Sequence, residues 1–372
     1  MQDKECQNER PKQEFALRPY QQRAVEWAKT NDGLIIAPAG SGKTWIAAAI
    51  IKHFHEAQSI GRFGWIAPTR ETCQQARASL IVAGVPLDVV EIRCPHESVD
   101  FSQKDVLIID EAKHSPARVL RGIIESCKGR RYGFDATPWC DDPDRNAVTR
   151  SLFFNRTCEI SRDDIGDSLA DASLILSEAT DYLIKDRIDA KIDKLFKERS
   201  RYMRIKPEEI RAMCAWEAIT ELGICENKNR NFYAQQYALA NDDKQTLILV
   251  PRVTLGEWYE QTIPGSRLVH SKIGKKDRKA YMEEFKAGNL KTMIATQLAD
   301  EGLDLPNVEL LIMVSGGRSS QKTIQRASRA LRKTSTKSTA TIVDFMDRFH
   351  PIAEFHAKKR IKCYKQLGCI FL

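Results

Sequence analysis

The sequence predicts an α/β protein: two tandem domains built on parallel sheets flanked by helices, plus a helical insertion between them. Three observations carry that expectation. Short apolar runs alternate with stretches of helical periodicity over most of the 372 residues, the pattern of strands joined by crossover helices. The run Val106-Leu107-Ile108-Ile109 is apolar without alternation, as in a strand covered on both faces. Strand signals then fade from about Asp163 to Ala240 and return afterwards, which divides the chain into residues 1–160, a bridging segment 161–243 and residues 244–372.

The elements follow in order. Strands are predicted at Gly33–Pro38, Phe63–Ala67, Val89–Ile92, Val106–Asp110 and Arg131–Ala136, each a short run rich in aliphatic or aromatic residues. Helices fall between them, at Thr44–Phe54 and at Ala117–Cys127, where Val119, Leu120, Ile123, Ile124 and Cys127 share one face. Between Lys185 and Arg211 ten Lys/Arg stand against six Asp/Glu, a balance of +4. That run reads either as a solvated helix pair supporting the second domain or as an arm that contacts phosphate. The second domain is predicted to hold strands at Thr246–Val250, Arg267–Val269, Thr292–Ala295, Val308–Val314 and Thr341–Phe345, with helices near Lys276–Lys286 and Ser320–Arg332. The chain ends in a basic and then apolar stretch, which suits a docked helix or a polyanion contact.

Composition narrows the class. With 42% hydrophobic and 29% charged residues the chain reads as globular, and its apolar runs are far too short to span a bilayer. The polar first residues lack a secretory core, so the expected location is the cytoplasm of a bacterium or of a phage-infected host. A net charge of +8 suits a polyanionic partner. The ten cysteines form no CxxC pair and no zinc-type spacing, and are expected to be reduced and mostly buried.

Two motifs carry chemistry. Ala37-Pro38-Ala39-Gly40-Ser41-Gly42-Lys43-Thr44 follows an apolar strand and opens a helix. Glycines at Gly40 and Gly42 let backbone N–H groups of Ala39–Thr44 close around phosphate oxygens, Lys43 reaches the β- and γ-phosphates, and the Thr44 hydroxyl ligates Mg²⁺. The second motif is Asp110-Glu111-Ala112-Lys113-His114, at the end of the buried strand. A carboxylate there holds Mg²⁺, and its neighbour polarises the attacking water. Asp110 is assigned to the metal and Glu111 to the water, with ATP and Mg²⁺ as the implied ligands.

With these residues in place, the chain resembles the superfamily 2 helicases, the group that contains the DExD/H-box proteins. Leu17-Arg18-Pro19-Tyr20-Gln21 is similar to the adenine-recognition element of DNA-acting members, which implies that Gln21 reads the adenine edge. Ala67-Pro68-Thr69-Arg70 resembles motif Ia, implying that Pro68, Thr69 and Arg70 grip nucleic-acid phosphates. Phe134-Asp135-Ala136-Thr137-Pro138 resembles motif III, with Asp135 where Ser or Thr is usual, and in motif II Lys113 displaces His114 by one place. The stretch 295–306 is similar to motif V, implying that Thr296 meets the nucleic-acid backbone and that Gly302 and Asp304 approach the ribose. Gln325–Arg332 is similar to motif VI, the arginine-finger helix; Gln325 would face the nucleotide, and Arg329 and Arg332 would stabilise charge on the γ-phosphoryl.

The resemblance implies two RecA-like P-loop domains with ATP held in the cleft between them, hydrolysis driving translocation along nucleic acid or unwinding of it. DNA is favoured over RNA because the Leu17–Gln21 element is of the DNA-translocase kind. A monomer of a stand-alone or phage type is expected, with no membrane partner. Trp45, Trp65, Trp139 and Trp258 are candidates for stacking on bases, or are core. Other readings stay open: an ATP-dependent RNA helicase, a P-loop ATPase that switches conformation without translocating, and a catalytically silent nucleic-acid adaptor.

Overall fold

The computed structural model describes residues 15–38, 40–57, 61–97, 99–140, 142–166, 170–178, 184–296, 307–317, 327 and 337–372. The chain divides into two compact units, Met1–Gly166 and Asp167–Leu372.

The first unit is a six-stranded sheet in the order β3-β2-β4-β5-β1-β6, with every neighbouring pair parallel. Its strands are β1 Gly33–Ile36, β2 Phe63–Ile66, β3 Val90–Arg93, β4 Val106–Asp110, β5 Arg130–Asp135 and β6 Thr157–Glu159. Helices α1 Pro19–Thr30, α2 Lys43–Ala57, α3 Arg70–Ala83, α4 Arg118–Ser126 and α5 Pro143–Leu152 supply the crossovers and covers, and the short α6 Arg162–Ile165 follows β6. The central strands are apolar on both faces because both are covered: Phe63 through Ile66 and Val106 through Ile109 are all buried. Of the face expected on α4, Leu120 and Ile124 are buried, whereas Val119 is exposed. Parallel pairing puts all the strand C-termini on one edge of the sheet. Ile36, Ile66, Asp110 and Asp135 end there, so the loops that follow them share one rim.

The second unit is a seven-stranded parallel sheet in the order β13-β7-β12-β11-β8-β10-β9. It contains β7 Asp171–Ser177, β8 Thr246–Val250, β9 Arg267–Val269, β10 Thr292–Thr296, β11 Leu310–Met313, β12 Thr339–Phe345 and β13 Ile370–Phe371. Helices α7 Ile184–Arg199, α8 Pro207–Ala218 and α9 Lys228–Leu239 cover one face. Their Ile188, Ile192, Cys214 and Ala234 share a buried cluster with Ile248, Ile312 and Val343 of the strands. On the other face Phe285, of the helix Lys275–Ala287, and Tyr364, of the C-terminal helix Pro351–Gln366, join a cluster around Leu247, Leu249 and Leu311.

One expectation is corrected here. No strand was expected between Asp163 and Ala240, yet β7 lies inside the second sheet, paired in register with β12 from Asp171↔Thr339 to Ser177↔Phe345. Its sequence, Asp-Ala-Ser-Leu-Ile-Leu-Ser, has only three large aliphatic residues. The partner strand that stabilises it arrives 168 positions later, from Asp171 to Thr339, so the decisive contact is tertiary.

Half of the basic run in the helical segment is answered by acids. Lys185 pairs with Asp189 at 2.8 Å, Arg187 with Glu226 at 3.3 Å, Arg199 with Glu217 at 2.7 Å and Arg211 with Asp193 at 2.9 Å. Lys191 pairs with Glu221. For these five residues the supporting helix is favoured over the phosphate arm.

A second device holds the sheet's far end together. Arg230 and Arg360, both fully buried, face Asp344 and Asp347. Arg230 Nε donates to Asp347 at 2.8 Å and its Nη1 to the Val314 carbonyl at 2.8 Å, while Arg360 donates to Asp344 at 2.8 and 3.1 Å, to Asp347 at 3.0 Å and to the Gly317 carbonyl at 3.0 Å. Tyr364 adds an O–H to Asp344 at 2.7 Å. These bonds pin α9 and the C-terminal helix to the end of β12 and to the turn at Ser315–Gly317.

Candidate nucleotide site and nucleic-acid surfaces

The loop after β1 is shaped by two glycines with left-handed backbone, Gly40 at φ +86° and Gly42 at φ +76°. A side chain at position 42 would also strike Gln21: an added Cβ would lie 2.4 Å from Gln21 Nε2. Lys43 Nζ donates to the Ala37 carbonyl at 3.2 Å and lies 3.5 Å from that of Pro38. Trp45 and Ile46 return their N–H groups to the Gly42 carbonyl, starting α2. Ser41 is fully buried, and its Oγ has no hydrogen-bond partner among the described residues. A buried donor left over in a glycine loop at a helix start fits a phosphate ligand. Ala39 lies outside the described residues.

Gln21 is tied down at both ends of its amide. Its Nε2 donates to the Ser41 carbonyl at 2.8 Å and its Oε1 accepts from the Arg18 N–H at 2.9 Å. Tyr20 O–H also reaches the Ser41 carbonyl, at 3.2 Å. The element that resembles an adenine reader therefore also braces the phosphate loop. Beside it, a cavity of about 320 Å³ is lined by Ala16, Arg18, Gln21, Gly40 and Trp45, and the Trp45 ring stacks on Phe15 at 4.9 Å.

On the same rim β5 separates β1 from β4, which makes Asp135 the link between the two motifs. Its carbonyl accepts from Ala37 N–H at 2.9 Å. Its buried carboxylate accepts from the Lys113 N–H at 2.8 Å and from the Thr137 N–H at 2.8 Å. The residue that departs from the motif III pattern thus holds the acidic turn by its carboxylate and the phosphate-loop strand by its backbone carbonyl. His114, by contrast, is exposed. Neither Lys113 nor Asp135 stood among the candidate site residues, because the bond that joins them bridges 22 positions and is visible only once β4 and β5 are paired.

The electrostatics are those of crowded carboxylates. Burial, then the nearby Glu111 charge, pushes Asp110 up to about 6, although Lys43 pulls the other way. Asp135 is raised as well, first by burial and then by Glu111. For Glu111 burial is again the largest influence and would raise it, but Lys113, with which it pairs, and Lys43 together outweigh burial and hold it below the usual carboxylate range. Glu111 also has a left-handed backbone, φ 54° and ψ 56°, uncommon for a residue with a side chain and a mark of local strain. Three carboxylates against two ammonium groups leave a deficit of positive charge that a divalent cation fits. Asp110 and Thr44 are the residues that would hold Mg²⁺.

Candidate nucleic-acid contacts fall on both units. Thr69 caps α3: its Oγ1 accepts from the Thr72 N–H at 3.2 Å, and Thr72 Oγ1 answers the Thr69 N–H at 3.0 Å. Arg70 stands exposed at the first turn of that helix, where a cation is unfavourable unless an anion lies opposite. In the second unit, Thr296 ends β10 and lines a cavity of about 550 Å³ together with Arg199, Trp216, Thr220, Arg252 and Ser271. Arg252 was not anticipated, yet Val250-Pro251-Arg252 after β8 echoes Ala67-Pro68-Thr69-Arg70 after β2, and that echo was available in the sequence. Of the tryptophans proposed to stack on bases, Trp65 is withdrawn: it is buried inside β2. Trp258 is 38% exposed, and Trp139 packs under Arg150. Gly302, Asp304, Gln325, Arg329 and Arg332 lie outside the described residues.

Comparison with known proteins gives this geometry a family. Residues 229–334 match the family described as helicase conserved C-terminal domain, and residues 11–83 match that described as type III restriction enzyme, res subunit. Putative helicase 22 of Sulfolobus islandicus filamentous virus is 24% identical over 89% of this chain and 64% of its own length. The DNA 3'-5' translocase XPB2 of Sulfurisphaera tokodaii is 24% identical over 87% of this chain and 80% of its own, and the DNA 3'-5' helicase XPB of Mycobacterium tuberculosis is 23% identical over 93% of this chain. The chain spans between half and two thirds of the length of the viral helicase and of the putative Rad25 helicase of Halobacterium salinarum, at 64% and 52%. The crystal structure of the Pyrococcus furiosus Hef helicase domain shares the fold, with a TM-score of 0.56 at 13% identity over 89% of this chain and 95% of that one. Among the described residues no helix is long and apolar enough to cross a membrane. With a phosphate loop and an acidic strand end on one rim of its first sheet and a match to the helicase C-terminal family in its second unit, the chain shares the sequence families and the fold of superfamily 2 DExD/H helicases.

Proposed function

We propose that the chain is an ATP-driven motor on DNA, a translocase or helicase working in the 3'–5' sense named for its relatives. The observation that carries the proposal is the rim of the first sheet, where Lys43, Asp110, Glu111 and Asp135 converge through bonds between three neighbouring strand ends. Lys43 and the loop N–H groups would bind the triphosphate, and Glu111 would orient the attacking water and take its proton. Mg²⁺, when bound, neutralises charge on the β- and γ-phosphate oxygens. Asp135 would report the state of the acidic turn to the phosphate loop, since it bonds to both. On the sequence pattern alone, Gly302, Asp304 and Gln325 are kept as nucleotide contacts and Arg329 and Arg332 as the groups that stabilise charge on the γ-phosphoryl.

The α3 start at Pro68–Arg70 and the Thr296 cavity would each take phosphates of one strand, and phosphate contacts carry no sequence information. Binding is then sequence-tolerant and weakens steeply with salt. The decisive experiment is ATP turnover measured with single- and double-stranded DNA and RNA. Stimulation by DNA above RNA is the expected result. Turnover indifferent to every nucleic acid removes the motor and leaves a conformational ATPase.

A further inference from the structure

At the far end of the same rim, beside edge strand β3 of the first sheet, three side chains with metal-binding atoms come together next to a fourth. Cys73 lies one turn into α3 and Cys94 directly follows β3, 21 positions later. Both are buried, and their Sγ atoms are 3.6 Å apart. The turn after Cys94 brings His96 and Glu97 back to it: one ligand atom from each of Cys94, His96 and Glu97 lies within 4.8 Å of the others. Glu97 Oε2 accepts from the Cys94 N–H at 3.2 Å, which fixes the carboxylate over the thiol, and the Glu97 N–H closes the turn on the Cys94 carbonyl at 3.1 Å.

We propose that Cys73, Cys94, His96 and Glu97 form a zinc site that clamps the start of α3 to the end of β3. The thiol separation suits it. Two thiolates about 2.3 Å from a tetrahedral zinc stand about 3.8 Å apart, close to the observed separation. The donor set is right for the ion, because thiolate and imidazole select zinc over magnesium, and carboxylate is an accepted fourth ligand. The site is also distinct from the Mg²⁺ position at Asp110, whose donors are all oxygens. The sequence gives no sign of it because a gap of 21 positions fits no zinc-finger spacing; only the crossover from α3 to β3 closes it. Its consequence is mechanical. Cys73 N–H bonds the Thr69 carbonyl at 3.0 Å, so a metal held at Cys73 would stiffen the turn that presents Thr69 and Arg70.

The test uses the full chain and does not depend on ATP turnover. Protein produced with zinc and then dialysed against a chelating resin should retain about one zinc per chain. Cobalt in its place should give a thiolate-to-metal charge-transfer band. His96→Ala is the cleanest variant, because the side chain is exposed and its loss leaves the core intact. It should weaken zinc by more than the roughly 10–100-fold that follows loss of an outer-shell partner. Cys73→Ser should halve the charge-transfer intensity, and Cys94→Ser should abolish retention, whereas Cys158→Ser should change neither. Two results overturn the proposal: no zinc in the wild type with both thiols free or joined as a disulfide, or zinc retained equally by the wild type, His96→Ala and Cys94→Ser.

Discussion

Replacing Asp110 with Asn removes one charge from the crowded carboxylates while keeping shape and an acceptor for the Glu111 N–H, which the Asp110 Oδ1 now receives at 3.0 Å. The carboxyl is raised from 3.8 to about 6 in the folded protein, first by burial and then by Glu111. A raised acid opposes folding wherever it must ionise, so its penalty is absent below pH 3.8, grows as pH rises and is complete above about pH 6. Taken at face value, the shift amounts to about 3 kcal/mol at neutral pH and about 0.6 kcal/mol near pH 4. Asp110 is only partly buried at its strand end, and solvent screening there reduces the neutral-pH figure to about 1–2 kcal/mol. For a unit of this size that corresponds to a rise in Tm of about 2–8 °C for the variant without Mg²⁺ or nucleotide. The assay is thermal unfolding of wild type and variant side by side from about pH 4 to pH 7.5, the window over which a carboxyl with these two pKa values changes its protonation on folding. The stabilisation should shrink to near zero at the acid end. With Mg²⁺ and ATP the order should reverse, because only the wild type gains from the metal. A variant no more stable than wild type at neutral pH, or a difference that ignores pH, would refute the reasoning.

Glu111→Gln should lower ATP turnover by about 10²–10⁴-fold while nucleotide binding survives, measured by single-turnover hydrolysis beside binding of a fluorescent nucleotide; unchanged turnover refutes its role. Asp135→Ala leaves the Lys113 and Thr137 N–H groups without their acceptor, at about 1–3 kcal/mol for each that stays buried. Urea unfolding should register the loss, and Asp135→Asn should recover part of it. Asp347→Ala leaves Arg230 and Arg360 short of a counter-charge in the core, which should cost the second unit about 3–5 kcal/mol. A midpoint within error of wild type would mean that the buried network contributes nothing.

Much of this fold was legible because its central strands are doubly covered. β4 and β8 need apolar residues on both faces, so they appear in the sequence as unbroken runs, Val106–Ile109 and Thr246–Val250. β6 and β13 are three and two residues long and carry no such signature. β7 is longer but depends on β12, far away in the chain, and its Ser and Asp residues look like loop. The site divides along the same line. The phosphate loop and the Asp110–Glu111 pair are local, since glycine conformation and a charged strand end can be read residue by residue. Asp135 looked like a departure from pattern, because its partners belong to another strand end. Gln21 carried a motif, but not the two bonds that tie its amide to Arg18 and Ser41.

The departures at Lys113 and Asp135 make physical sense only as a pair. A Ser or Thr at 135 offers one acceptor oxygen of modest strength, whereas a carboxylate accepts two N–H groups at 2.8 Å each, one from the acidic turn and one from its own loop. That stronger joint adds a third negative charge beside Asp110 and Glu111, and like charges so close raise one another's proton affinity. Lys113 offsets this by pairing with Glu111, and so keeps ionised the one carboxylate proposed to act as a base. Asp110 and Asp135 remain raised, and they are the groups that a divalent cation and the two N–H groups respectively are placed to satisfy. The substitution that adds a carboxylate to the joint therefore also increases the site's demand for positive charge, and the lysine confines that demand to Asp110, the position proposed to hold Mg²⁺.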